Sequence, residues 1–399
     1  MDYDGDGDAA EGIFYEIDTL KDALYFAIQD YATNVLGAPV IYESHTYPYF
    51  FNDSNGNGDV SSSCARCHSG TGLPFYLAAG VNVEEPLSDG MLCSTCHENV
   101  PGYERITVDE AQFPSGLTVS FGEGEDSNLC IQCHQGREST ASVQGKIAGL
   151  GDDEGNLSFT NVHYYPTGAS VFGSEVKGAF EYMGKSYNGR FMHTESRDTC
   201  TACHDAHTGE LAGCFCHGVP PSVLENIRFD DVDYDGDGSI NEGIFGEIET
   251  MHDTLYAALQ DYAINVKGKP IVYDSHGYPY FFNDTNGNGV LDGAEGSRAN
   301  AYRSFTPRLM KAAYNYQYVV KDPGAFAHNG KYILQVLYDN LEDMGVDVSG
   351  MVRPALKNSP AACGDLTHPT IAGDFNGDCA NNVLDLAIFV SNWLKDNNK

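Results

Sequence analysis

The stretch Cys64-Ala-Arg-Cys67-His68 is the first of four C-x-x-C-H motifs between residues 64 and 204. This spacing is the attachment signature of c-type haem, in which two thiols bond the haem and the adjacent histidine ligates its iron. C-x-x-C pairs can also combine into zinc sites of four thiolates, but zinc does not need the histidine that every copy carries. The sequence therefore predicts four bound haems, with zinc or disulfides as the alternative. The residues concerned are Cys64, Cys67, His68, Cys93, Cys96, His97, Cys130, Cys133, His134, Cys200, Cys203 and His204.

A fifth, imperfect copy follows at Gly213-Cys214-Phe215-Cys216-His217. Its first cysteine stands one residue late, while the second cysteine and the histidine keep their spacing. We predict a fifth haem, held through Cys216 with His217 as ligand. The alternative is a decayed site whose cysteines are idle or paired elsewhere.

Haem iron in a low-spin electron carrier needs a second strong ligand on its other face. Five further histidines are candidates for this distal position, although a buried histidine can also be purely structural. They are His45, His163, His193, His207 and His328.

Composition limits the partners of the chain. Its 399 residues carry a formal net charge of -35, which argues against nucleic acid or anionic lipid as a partner. No apolar run is long enough to cross a bilayer. Between Cys64 and Pro220 regular apolar periods are few, so we expect haem to supply much of the apolar interior there.

An internal repeat bears on the compartment. Residues 2–58 align without a gap to residues 233–289, and most positions are identical. No signal peptide precedes the first copy, yet covalent haem attachment implies export. We therefore expect a periplasmic or extracellular protein whose signal segment lies upstream of a truncated or misassigned start.

Each copy of the repeat opens with alternating carboxylates, as in loops that bind calcium. The second copy carries Asp233, Asp235 and Asp237, and the first carries Asp2, Asp4, Asp6 and Asp8. Isoleucine occupies loop position twelve, where glutamate is expected. Glu242 or Glu247 would have to substitute in the second copy, and the alternative is a solvated acidic turn.

The end of the second copy completes a twelve-residue EF-hand loop with glycine at position six. Its predicted calcium ligands are Asp284, Asn286, Asn288, Asp292 and Glu295. In the first copy position twelve is Cys64, so a calcium site is doubtful there.

Helical patterns flank the haem region. Apolar residues recur at three- and four-residue spacing from Ile13 to Val35, which predicts an amphipathic packing helix. Thr306 followed by Pro307 predicts a helix start, and a further helix is expected from about Asn329 to Gly345.

Several segments resemble a family of secreted bacterial multihaem cytochromes c. They include Asn161-Val162-His163-Tyr164, Gly189-Arg190-Phe191-Met192-His193, Cys203-His204-Asp205-Ala206-His207 and the run from Asp322 to Asn329. The resemblance covers residues 50–345 and implies that His163, His193 and His207 are distal ligands. His328 receives weaker support from it.

The C-terminal tail resembles half of a dockerin module, of the type found at the end of secreted planctomycete proteins. The predicted calcium ligands are Asp374, Asn376, Asp378, Asn382 and Asp385. Cys379 stands at position six, and a disulfide to Cys363 is the economical interpretation in an oxidising compartment. Docking to a cohesin, surface retention and simple stabilisation remain alternatives.

Together these patterns predict a mainly α protein with much irregular coil. The expected domains are a calcium-loop and helix repeat (1–60), a haem-cored cytochrome domain (61–228), a second repeat with a helical hairpin (229–350) and a dockerin-like module (351–399). The predicted function is electron transfer, with other cytochromes or extracellular acceptors as partners and with oligomers or filaments as an option. The alternatives are an oxidoreductase for a small nitrogen or sulfur compound and a calcium-dependent adhesion or scaffold protein.

Overall fold

The chain divides into two units, residues 1–108 and residues 109–399, so the boundary falls between the second and third C-x-x-C-H motifs. The structure is a computed structural model. It describes residues 13–35, 40–42, 50–52, 58–88, 91–99, 102, 104–163, 165–193, 197–208, 211, 221–293 and 295–356.

Short elements make up the described part of the first unit. Each of its strands belongs to a two-stranded antiparallel sheet: β1 with β2, β3 with β4, and β5 with β6. In chain order the elements are α1 (Ile13–Asn34), β1 (Val40–Tyr42), β2 (Phe50–Asn52), β3 (Asp59–Val60), α2 (Ser62–His68), α3 (Gly72–Ala79), β4 (Glu85–Pro86), α4 (Cys93–Cys96), β5 (His97–Asn99) and β6 (Glu104–Arg105).

Longer helices appear in the second unit, beside two small antiparallel sheets, β7 with β8 and β9 with β10. In chain order its elements are β7 (Ala111–Gln112), β8 (Thr118–Val119), α5 (Ser127–Cys130), α6 (Thr140–Ile147), α7 (Thr167–Phe172), α8 (Ile244–Asn265), β9 (Ile271–Tyr273), β10 (Phe281–Asn283), α9 (Pro307–Lys321) and α10 (Ala325–Asp343). Short 3-10 turns occur at Gly173–Glu175, Cys200–Ala202, Pro221–Asn226 and Arg298–Asn300. These helices, small sheets and irregular segments are compatible with the predicted mainly α class.

The core of the second unit lies where α8, α9 and α10 pack together. Phe113, Phe172 and Phe180, from the segment that carries the third motif, are buried in the same core. Burying a phenylalanine side chain contributes about 1.5 to 3 kcal/mol. Polypeptide side chains therefore supply part of the apolar interior of this segment, where we expected haem to supply much of it.

The starts of α9 and α10 lie at or near their predicted positions. Thr306 caps α9 as predicted, because its Oγ1 accepts the backbone N–H of Leu309 at 3.2 Å. α10 begins at Ala325, four residues before the predicted start, and continues through an extended residue, Asn329, with φ of -168°. The Asn329 side chain donates to the carbonyl of Gly189 at 3.0 Å, so a tertiary contact stabilises the interruption.

The two copies of the repeat bury equivalent helix faces differently. Leu255 on α8 is fully buried in the core with α9 and α10, whereas its counterpart Leu24 on α1 is 63% exposed. The amphipathic pattern predicted α1, and the repeat places α8 at the equivalent residues of the second copy. Burial differs because the sequence of α9 and α10 follows only the second copy.

Among the described residues, no helix has the length and apolar character that a membrane span requires.

Candidate haem and metal sites

The first two motifs lie together in the first unit. α2 carries Cys64, Cys67 and His68, and α4 carries Cys93 and Cys96. The buried hydroxyl of Thr95, inside the second motif, donates to the carbonyl of Gly70 at 2.8 Å. The first motif is thus held directly against the second.

A close helix contact supports the first motif. A Cβ atom on Gly72 would lie 1.9 Å from the carbonyl oxygen of Ala65, which is buried within the motif. The guanidinium of Arg66 stacks over the ring of Tyr76 at 4.2 Å from its centroid. Only glycine at position 72 allows α3 to approach α2 this closely.

The third and fourth motifs meet in the second unit, although 70 residues separate Cys130 from Cys200. The backbone N–H of Thr201 donates to the buried hydroxyl of Ser127 at 3.2 Å. The thiols of Cys130 and Cys200 are hydrogen-bonded, and this contact, together with burial, raises the pKa of Cys200. The two attachment sites are therefore direct neighbours.

A cluster of histidines adjoins these two motifs. The rings of His204, from the fourth motif, and His328, from α10, have centroids 6.4 Å apart and planes inclined by 35°. His134 is near enough to both for their charges to affect it. Burial, and then the charges of His204 and His328, lower the pKa of His134.

His328 is oriented by a carboxylate. Its Nδ1 lies 2.8 Å from Asp322 Oδ1 and must donate, because a carboxylate only accepts. Burial opposes protonation of His328, but the Asp322 charge outweighs it and raises the pKa of the imidazole. With Nδ1–H engaged, Nε2 keeps the lone pair that can bind a metal. Asp322 is a functional residue that the sequence patterns did not predict.

The separation of His204 and His328 fits two ligands of one iron. Metal–imidazole bonds are about 2 Å long and the ring centroid lies about 1 Å beyond the nitrogen, so two such ligands place their centroids about 6 Å apart. The residues present thus suit haem with two histidine ligands. By contrast, in the described part of the chain no three motif cysteines or histidines converge closely enough to share one ion. The zinc alternative therefore gains no support.

The other predicted distal ligands are less closely associated with a motif. His163 has a left-handed backbone with φ of 68°, next to Val162, whose carbonyl accepts the N–H of Arg137 at 2.9 Å. That hydrogen bond holds the His163 loop against the end of the third motif. His193 and His207 have exposed side chains. His45, Cys216 and His217 lie outside the described residues, as do the C-terminal calcium ligands from Asp374 to Asp385.

The loop from Asp284 to Glu295 has the hydrogen bonds of a calcium loop. Asp284 accepts the N–H groups of Gly287 at 2.6 Å and Gly289 at 2.8 Å through its two carboxylate oxygens. Asn286 accepts from Asn288 in turn. Glu295, at position twelve, accepts the N–H of Thr285 at 2.6 Å. One hydrogen-bonded loop therefore contains all the predicted ligands, which are Asp284, Asn286, Asn288, Asp292 and Glu295.

The loop at Asp233 repeats this arrangement. Asp233 accepts the N–H groups of Gly236 at 2.7 Å and Gly238 at 2.9 Å, so it occupies the position of Asp284. Glu247 accepts the N–H of Tyr234 at 2.8 Å, as Glu295 does for Thr285. Glu247, three residues after position twelve, therefore makes the same backbone contact as Glu295.

The chain is similar to two cytochromes of Geobacter sulfurreducens. To the C-type polyheme cytochrome OmcB, of both the DL-1/KN400 and the ATCC 51573/PCA strains, it is 27% identical over 347 residues, which cover 72% of this chain and 44% of the relative. To the C-type polyheme cytochrome OmcC it is 27% identical over 339 residues, covering 70% and 42%. The chain thus spans less than half the length of these relatives.

No family model and no solved structure matches the chain. The four C-x-x-C-H motifs and the similarity to the two polyheme cytochromes together support a multihaem c-type cytochrome.

Proposed function

We propose that the protein carries electrons through closely spaced haems, each held between two histidines. The observation that carries this proposal is the 6.4 Å separation of the His204 and His328 rings beside the contact of Cys130 with Cys200. The first distance supports two imidazole ligands on one iron, and the second contact supports haems that lie close together. Electron transfer needs this proximity and no substrate pocket.

In this proposal the chain's residues have distinct roles. The paired cysteines attach each haem, which supplies an iron that gains and loses one electron. The motif histidines His68, His97, His134 and His204 provide the proximal ligands. His328 would supply the second ligand of the iron that His204 holds, which would leave no position for a substrate there. Asp322 holds His328 in the tautomer that this role requires.

We extend the same role to the remaining candidates. His163 is favoured for a distal position because its loop is hydrogen-bonded to the third motif. His193, His207 and His45 complete the proposed distal set, and Cys216 with His217 would hold a fifth haem. The proposed calcium sites use the loop at Asp284 and the C-terminal loop at Asp374, where calcium would stabilise the surrounding turns.

The surroundings of the protein follow from its chemistry. Attachment through thioethers requires export, so we propose a periplasmic or extracellular location. The proposed partners are other cytochromes or extracellular electron acceptors, and the net charge of -35 favours cationic or basic surfaces among them. A filament of copies would extend the same electron path from one chain to the next.

The decisive experiment is to express the chain in cells that attach haem to cytochromes c, and then to count the bound haems by mass and by absorbance. We expect four haems, or five if Cys216 is used, with low-spin spectra. His328→Ala should convert one haem to a high-spin form, and His276→Ala should leave the spectra unchanged. A colourless or zinc-bound protein would overturn the proposal, and so would low-spin spectra in the His328 variant. A high-spin haem that binds nitrite or hydroxylamine in the unmodified protein would instead favour the oxidoreductase.

A further inference from the structure

Two groups of carboxylates converge where the Asp233 loop meets the start of α8. Asp233, Asp235 and Asp237 form one group, and Asp235 with Glu242 and Glu247 forms the other. Within each group, one carboxylate oxygen per residue lies within 4.8 Å of the others. Asp235 belongs to both groups and so connects them.

Two of these oxygens are buried without a hydrogen-bond partner among the described residues. They are Asp235 Oδ2 and Glu242 Oε1. Asp235 is only 5% exposed, so its carboxylate is hidden from water as well as oriented toward the other acids. A buried charge without a partner is costly, and such groups usually bind a cation or a metal.

The cation in contact with this region, Arg228, is directed mainly at Glu247 and at backbone carbonyls. It binds Glu247 Oε1 at 2.6 Å and donates its other N–H groups to the carbonyls of Asp230, Val232 and Glu242. Glu247 Oε2 accepts the N–H groups of Tyr234 and Asp235 at 2.8 and 2.9 Å. Glu247 is therefore satisfied by the protein, whereas Asp235 and Glu242 still offer oxygen atoms. Several carboxylates in a flexible loop are the ligands that Ca²⁺ prefers over Mg²⁺.

The loop adjoins the part of α10 that carries His328. Phe245, in the first turn of α8, contacts Phe326 edge to face at 5.5 Å. The side chain of Ile244 lies 2.8 Å from where a Cβ on Gly330 would be. Residues 326 and 330 stand two positions before and after His328, so the start of α8 holds both sides of that histidine.

We propose that Asp233, Asp235, Asp237 and Glu242 bind one Ca²⁺, and that this ion fixes the start of α8 against the segment of α10 that presents His328. The second half of this inference rests on the proposed haem-ligand role of His328. The ion replaces mutual repulsion among the acids with coordination, and it orders the turn from which α8 begins. Calcium thereby supports a haem ligand that it does not touch.

The test compares Asp235→Asn with Asp284→Asn in the full, haem-loaded chain. Asparagine keeps the oxygen that accepts the N–H of Asp237 at 3.0 Å, so the turn is preserved. Calorimetric titration with Ca²⁺ should show a calcium-binding step that Asp235→Asn weakens at least tenfold. In EDTA the Asp235 variant should melt no lower than the unmodified protein, because it lacks one uncompensated charge. Asp284→Asn is the matched comparison. It alters the other proposed calcium loop, which contacts the opposite end of α8 through Gln260, and should leave both the Asp235-dependent calcium step and the haem spectra unchanged.

The haem spectra test whether calcium binding affects the haem that His328 is proposed to ligate. Removing Ca²⁺ from the unmodified protein should weaken the low-spin signal of one haem, and the same change should already be present in the calcium-loaded Asp235 variant. An unchanged titration in the Asp235 variant would overturn the calcium site. Loss of calcium without any change in haem spectra would overturn the coupling. If the chain instead proves free of haem but still loses a calcium step on Asp235→Asn, the proposed function fails and the metal site stands.

Discussion

His328 donates its Nδ1–H to Asp322 at 2.8 Å, and the Asp322 side chain is fully buried. A carboxylate in this position raises the basicity of an imidazole ligand and fixes its orientation. Removing such a partner typically weakens metal binding 10- to 100-fold. Asp322→Asn should therefore leave one haem able to bind carbon monoxide in the reduced state.

The control for this change is Asp274→Asn. Asp274 lies 3.5 Å from the Nδ1 of His276, whose side chain is almost fully exposed. This substitution removes the same kind of contact from a histidine without a proposed iron, so carbon monoxide binding should stay at the level of the unmodified protein. Equal binding by both variants would contradict the role assigned to Asp322.

Ser127→Ala should loosen the contact between the third and fourth motifs. The buried hydroxyl of Ser127 accepts the N–H of Thr201 at 3.2 Å, and its loss leaves that N–H without this acceptor. We expect a decrease of about 1 kcal/mol in the free energy of unfolding, measured by denaturant titration. The exposed Ser158→Ala should change it by less than about 0.5 kcal/mol.

Glu181→Gln should alter how stability depends on pH. Burial raises the pKa of the Glu181 carboxyl from 4.5 to about 7 in the folded protein. The unfolded chain therefore releases this proton first as pH rises, and the folded state loses stability between about pH 4.5 and 7. Glutamine lacks this titration and can keep the hydrogen bond from Tyr332, which is 3.2 Å long in the unmodified protein.

At pH 8 the free energy of unfolding of the glutamine variant should thus be about 2 to 3 kcal/mol higher than that of the unmodified protein. At pH 4 the two free energies should agree. Denaturant titrations at both values measure the difference. The exposed Glu123→Gln serves as control, with no change at either pH. A constant difference across the range would show that packing, and not the proton, is responsible.

Gly72→Ala should disrupt the first haem site. The added methyl would meet the Ala65 carbonyl at 1.9 Å, and overpacking of this kind costs about 1 to 3 kcal/mol or more. We expect thermal unfolding at a lower temperature and a reduced yield of the first haem by peptide mass mapping. Gly145→Ala, in α6 with open space around it, should instead stabilise the protein by about 0.5 to 1 kcal/mol.

Sequence reasoning succeeded where a few adjacent residues determine the outcome. The C-x-x-C-H motifs, the cap of α9 at Thr306 and the hydrogen-bonded loop from Asp284 to Glu295 each lie within about a dozen positions. Their geometry follows from local chemistry, because the groups involved cannot move far apart along the chain. Whether calcium binds the loop remains a prediction.

The relationships that sequence reasoning missed follow no fixed spacing along the chain. Ser127 meets Thr201 only because the intervening chain folds back on α9 and α10. Asp322 reaches His328 because α10 starts at Ala325, in front of the interruption at Asn329. Glu247 makes the backbone contact expected of position twelve, although it lies about one helical turn further along the chain. No fixed spacing rule describes this position. Each of these contacts is set by tertiary packing.

The meeting of Cys130 and Cys200 also constrains how the protein is made. A thiol that is partly covered and has a raised pKa is a poor nucleophile. In the folded second unit the two thiols are hydrogen-bonded to each other. We therefore expect haem to be attached here while this part of the chain is still open, before the second unit folds.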